Sequence, residues 1–120
     1  MDTVKLVLLP ILLVATMVCC WAETMQPEEA KNHIGENASV HGKIEQVSFS
    51  KKVHAFLNFG GKYPEHVFTG FIPAQSVGDV GGERFLKSLA GSPITITGRI
   101  ELYKGRPEIV ISSPTQIVRG

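Results

Sequence analysis

The chain has 120 residues and a formal net charge of +1, so it holds one domain at most and carries no charge bias toward a partner. That balance argues against tight, indiscriminate binding of long DNA or RNA, which needs many phosphate contacts. The aromatic and β-branched content is that of a folded domain, which excludes a disordered chain.

The first residues set an expected compartment. Met1 to Lys5 form a short start with one lysine, and Leu6 to Val18 form an apolar run of 13 residues. That length suits the core of a signal peptide and falls short of the roughly 20 residues that span a bilayer. Cys20-Trp21-Ala22 sets small residues on either side of a larger one, so cleavage is expected after Ala22. The alternatives are an uncleaved anchor and a lipoprotein, for which Met17-Val18 is a poor match before the cysteines. The expected organisation is a signal peptide over residues 1–22 and one domain over 23–120, periplasmic or secreted. Both cysteines, Cys19 and Cys20, fall in the leader, so residues 23–120 contain no thiol for a disulfide, a nucleophile or a thiolate metal site.

Thr24 to His33 reads as a short helix, with Pro27 in its first turn, Glu28 and Glu29 near its positive end and Gly35 beyond it. Alternation then begins. Val40, Gly42 and Ile44 share one side of a first strand that continues through Val47 and Phe49, and Gly42 marks a bend or bulge. Ser50-Lys51-Lys52 is a turn. A second strand runs from Val53 to Phe59, with Val53, Ala55, Leu57 and Phe59 toward the core and His54, Phe56 and Asn58 away from it. Gly60 to Pro64 breaks it. The third strand, Val67 to Ile72, is apolar on both sides, so its facing stays open.

Glu83 to Ala90 forms a helix with Phe85, Leu86 and Leu89 on one face, stopped at Gly91. Ile94, Ile96, Gly98, Ile100 and Leu102 line the core side of the fourth strand. Lys104 to Pro107 makes a hairpin turn, and Ile109 and Ile111 face inward on the fifth strand. Five short strands can hide their edges by closing into a small barrel. The predicted fold is therefore mostly β: a five-stranded OB-fold barrel with a short N-terminal helix and a helix between its third and fourth strands.

The stretch from Gly35 to Ile117 resembles small single-domain OB-fold proteins of the nucleic-acid-binding type found in exported bacterial proteins. His33-Ile34-Gly35, Val40-His41-Gly42-Lys43-Ile44, Phe56-Leu57-Asn58-Phe59-Gly60, Tyr63-Pro64, Phe68-Thr69, Ile96-Thr97-Gly98-Arg99-Ile100 and Tyr103-Lys104-Gly105-Arg106-Pro107 carry the resemblance, together with Pro114-Thr115-Gln116-Ile117. It implies the fold far more than the activity, because OB domains bind oligonucleotides, oligosaccharides, proteins and metals.

The usual ligand surface of such domains is the outer face of the second and third strands with the flanking loops. Lys51 and Lys52 on one loop and Lys104 and Arg106 on another could meet phosphates. His54, Phe56 and Asn58 lie on the outer face, with Lys62 and Tyr63 just beyond, and Phe56, Tyr63 or Tyr103 could stack on bases. The same residues also have structural readings: lysines protect turns and edges, Phe56 can be core, and Tyr103 can cap a barrel end. His41 and His54, with Glu45, offer only a weak case for a metal, and His33 reads as a helix-end residue beside an isolated His66. No nucleophile elbow, zinc-protease motif or P-loop is present. Glu101 and Glu108 flank the hairpin and are expected to face solvent. Asn37-Ala38-Ser39 fits a glycosylation acceptor, which matters only in a host that uses it. The expectation is a non-catalytic exported binding module without a cofactor or metal, with single-stranded nucleic acid as ligand. The alternative is a periplasmic protein-interaction or envelope-stress module using the barrel face or a strand edge.

Overall fold

The computed structural model describes residues 24–120. The expected leader over residues 1–22 lies outside the described residues. Seven strands form among the described residues: β1 (Thr24–Met25), β2 (Asn37–Phe49), β3 (Ala55–Phe59), β4 (Phe68–Ile72), β5 (Pro93–Tyr103), β6 (Arg106–Val110) and β7 (Ile117–Arg119). Two short helices, α1 (Ala74–Val77) and α2 (Gly82–Ser88), lie between β4 and β5.

Five of these strands close a hydrogen-bonded ring because two of them are long enough to serve two neighbours. β2 pairs over Asn37–Lys43 with β5 and over Ile44–Phe49 with β3. β5 pairs over Pro93–Arg99 with β2 and over Ile100–Tyr103 with β6. β3 pairs with β4, and a parallel pairing of β4 with β6 completes the circuit. The remaining strands are short additions: β1 runs parallel to β2, and β7 lies along β5.

The alternation read from the sequence fills the ring. Val40, Ile44, Leu57, Phe59, Ile96, Ile100 and Ile109 are all fully buried. Each such side chain contributes about 1.5–3 kcal/mol through its removal from water. The facing of β4, open from the sequence, is settled by Phe68 and Ile72, which are fully buried in the core, and by Phe71, which lies on the outer face. The helical segment before β5 behaves as expected, since Leu86 and Leu89 are fully buried and Phe85 packs partly buried against the same core.

Three expectations need correction. Val53 does not face the core: it lies in the turn after β2 with a φ of 65° and is 44% exposed. Its amide donates to the Ser50 carbonyl, so turn closure, not strand pairing, sets its direction. Leu102 is 59% exposed, because the alternating register of β5 outruns the ring near the hairpin. The N-terminal helix is shorter than read: Thr24–Met25 extend as a strand beside Ser39 and Val40, and only Pro27–Asn32 wind, as a 3-10 helix. The Glu29 carboxylate accepts from the Gln26 amide at 2.9 Å, which fixes where the winding starts.

That winding also explains Gly42. A Cβ built at Gly42 would meet Pro27 Cγ at 2.7 Å and Pro27 Cδ at 3.0 Å. The glycine therefore leaves room for the proline ring, while the register shift of β2 falls just beyond it, between Ile44 and Gln46. Gly42→Ala should destabilise the domain by about 1–3 kcal/mol, the cost of forcing a methyl into packed rings. Urea unfolding followed by circular dichroism checks this, and an unchanged midpoint would mean that the Pro27 contact exerts no pressure.

Candidate functional site

Strand register sets one polar row across the outer face of the ring. Gln46 on β2 opposes Asn58 on β3, Asn58 opposes Thr69 on β4, Thr69 opposes Glu108 on β6, and Glu108 opposes Glu101 on β5. Opposed residues share a face, so this row runs over five strands. The neighbouring row, Ser48, Phe56 and Phe71, is largely aromatic, with the Phe56 and Phe71 rings 5.3 Å apart.

A groove of about 260 Å³ opens over these rows. Its base comes from Ser48, Phe56, Asn58 and Thr69. The β3–β4 connection contributes Tyr63 and His66, and the β5–β6 hairpin contributes Tyr103, Lys104, Arg106, Pro107 and Glu108. The hairpin is tight: its two central residues, Lys104 and Gly105, both have positive φ (50° and 82°), as a two-residue primed turn requires. That geometry raises Lys104 and Tyr103 at the groove mouth, with the lysine Nζ 5.4 Å from the tyrosine ring centre. The Arg106 guanidinium donates to the Pro64 carbonyl and so ties the hairpin to the β3–β4 connection.

Of the ten residues that the sequence nominated, six line this groove: Phe56, Asn58, Tyr63, Tyr103, Lys104 and Arg106. Tyr63 and Tyr103 are 70% and 54% exposed, whereas Phe56 is half-buried against Phe71. Asn58 is not free on the surface: it is 2% exposed, and its amide group is held at both ends. The other four lie elsewhere. Lys51 and Lys52 sit exposed in the β2–β3 turn, and Lys62 is exposed beside the groove without lining it. His54 supports the fold instead. Its Nδ1 accepts from the Ala74 amide at 2.9 Å at the start of α1, and its ring packs on Phe71. His41 bonds Thr95 at 2.9 Å, and no group of three potential metal-ligating side chains gathers among the described residues.

The sequence reading missed His66, Thr69 and Glu108. Thr69 was legible as the one hydroxyl within an otherwise apolar strand. Glu108 was placed in solvent, yet it is half-buried on the groove wall. Burial raises its pKa above the usual carboxylate range, and the opposed Glu101 adds to the effect. His66 is buried and its Nδ1 has no partner. Burial and then the Arg106 charge push its pKa down. Tyr63 stacks on its ring at 5.8 Å.

No protein-family model matches the chain, and no curated protein is similar to it in sequence. Solved structures resemble it in fold. An asparaginyl-tRNA synthetase from Pyrococcus horikoshii superposes with a TM-score of 0.53 at 13% identity, covering 79% of this chain and 22% of the synthetase. OBody AM1L10, solved bound to hen egg-white lysozyme, gives 0.53 at 17% identity over 74% of this chain and 83% of its own. OBody AM2EP06, also bound to hen egg-white lysozyme, gives 0.53 at 13% identity over 79% and 90%. The likeness is one of fold. This chain spans only 20% and 22% of the synthetases that head the comparison.

The carboxylate on the groove wall yields a pH prediction. Glu108 holds its proton more tightly folded than unfolded, so its contribution to stability is fully present below about pH 4.3, the ordinary glutamate value, and is lost as pH rises through the folded value. Glu108→Gln removes that loss. The variant should melt higher than the parent at pH 7, by no more than about 4 °C for a partly exposed site, with the difference vanishing near pH 4. Thermal melts at both pH values check the sign.

Proposed function

We propose that this chain is a non-catalytic binding module whose groove takes single-stranded nucleic acid. The observation that carries the reading is the groove itself: exposed Tyr63 and Tyr103 and half-buried Phe56 offer ring faces, while Lys104 and Arg106 stand at its edge. Stacking on such rings tolerates any base and contributes about 1–3 kcal/mol per base, and cations beside them suit a phosphate backbone. The likeness to part of a tRNA synthetase supports the same ligand class. The apolar run Leu6 to Val18 supports export, so the module would work in the periplasm or outside the cell.

With a net charge of +1 and few cations at the groove, binding should be modest and salt-sensitive. Short single-stranded oligonucleotides titrated at low salt should bind, and Tyr63→Ala and Tyr103→Ala should each weaken binding by roughly 1–3 kcal/mol. Lys51→Ala and Lys52→Ala, away from the groove, should change it less. Absence of binding to any oligonucleotide would overturn the reading, and turnover of nucleic acid by the purified protein would contradict a binding-only role.

One observation favours a second reading. The two OBody structures of this fold are bound to a protein, hen egg-white lysozyme. A protein partner of the same face or of a strand edge would bind with little dependence on ionic strength, unlike a phosphate backbone.

A further inference from the structure

The hydrogen-bond polarity of the groove base follows from a single backbone group. The Tyr63 amide can only donate, and it points at the Gln46 side-chain oxygen at 2.8 Å. Asn58 meets that same oxygen at 2.9 Å, so its NH₂ must face Gln46. The Asn58 oxygen then faces Thr69, whose hydroxyl donates to it at 2.8 Å. The only proton on the Thr69 oxygen is thus committed away from the remainder of the row. What Thr69 presents onward is a lone pair.

Beyond Thr69 the row continues with Glu108 and then Glu101. No hydrogen bond or ion pair among the described residues engages the Glu108 side chain: the ion pairs there join His33 to Glu36 and Lys87 to Glu83, and Arg106, two residues away, sends one of its N–H groups to the Pro64 carbonyl and pairs with no carboxylate. Along the row itself, Thr69 and the Glu108 carboxylate therefore offer acceptors, while the remaining donors of the groove stand on its walls and at its mouth. A ligand edge placed here must bring its own N–H groups, and an edge of lone pairs would face like charge. The tyrosine rings ask for a flat partner, and about 260 Å³ lies below the usual 300–1,000 Å³ of small-molecule sites, room for one ring system.

Among the standard bases only guanine carries two adjacent donors, N1–H and N2–H, on its Watson–Crick edge. They match the two oxygens of a carboxylate. Cytosine and adenine set one amino group beside a ring acceptor, and thymine or uracil sets one N–H between two carbonyls. We infer that the groove is a guanine-selective single-base site, in which the Glu108 carboxylate takes N1–H and N2–H of an unpaired guanine and the exposed tyrosines cover its face. This inference rests on the single-strand reading above and names the base that reading leaves open. Glu108 is then the specificity-determining residue, while Lys104 at the edge serves the backbone whatever the sequence.

The test is fluorescence anisotropy at low salt with four labelled pentanucleotides, all thymine except for a central guanine, hypoxanthine, cytosine or thymine. Guanine should bind about tenfold more tightly than thymine, the discrimination of a good bidentate contact. Hypoxanthine, which lacks the N2 amine, should lose most of that advantage. In Glu108→Gln, whose fold is checked by its melt, the guanine-to-thymine ratio should fall to within about twofold, because an amide cannot accept from both donors. Equal affinity for guanine and thymine in the parent protein, or a ratio that survives Glu108→Gln, would overturn the inference and leave single-strand binding standing. Failure of all four to bind would overturn both.

Discussion

Ring closure is the constraint on which everything else depends, and it rests on the length of two strands. A strand rises about 3.3 Å per residue, so one that serves two neighbours in succession must be roughly twice the ordinary length. β2 and β5, at 13 and 11 residues, meet that requirement, and they are the strands with the clearest alternation. Closure leaves few edges to protect and puts most of the alternate side chains of five strands into one core. With both cysteines in the first 20 residues, the core of Ile, Leu and Phe has to hold the domain together alone.

The same closure creates the groove. Alternation that sends Leu57, Phe68 and Ile109 inward must send Asn58, Thr69 and Glu108 outward, and the register of two pairings then aligns them. A polar row of this kind is costly if any member is left unmet. Here Gln46, Asn58 and Thr69 satisfy one another and the Tyr63 amide, which locks the β3–β4 connection over the row. Arg106 anchors that connection from the opposite side. The groove is therefore held by hydrogen bonds running from both walls, and its rings do not depend on a free loop for their placement.

How much of this was legible follows from range. Period-two alternation is a local signal, and it placed all five ring strands and the inward side of four of them. It erred where alternation continued past the end of the ring, at Leu102, and where turn geometry took over, at Val53. The usual ligand surface of OB domains, and not the local signal, put Phe56, Tyr63, Tyr103, Lys104 and Arg106 near one another. What the local signal could not reach were contacts set by three-dimensional register. Asn58 reads as a surface amide until Thr69, 11 residues on, closes over it. His54 reads as a ligand-facing histidine until Ala74 is seen to donate to it. Lys51 and Lys52 are in the expected turn, but the groove opens toward the other hairpin, which only the paired strands reveal.

Charge is divided across this surface in a way that bears on what the groove can discriminate. Cations that reach a phosphate backbone act at long range and without regard to sequence, so they set how fast and how tightly a strand is held. Acceptors at the base act at short range, and they oppose the strand's own negative charge. A partly buried carboxylate in the groove wall is a poor feature for a generic phosphate binder, because it lowers affinity for every sequence. It becomes useful only if some ligand edge repays its burial with matched donors. The pairing of Glu108 with Glu101, which adds like-charge repulsion to the cost of burial, is thus better matched to the proposed base-selective site than to one that would merely hold a backbone.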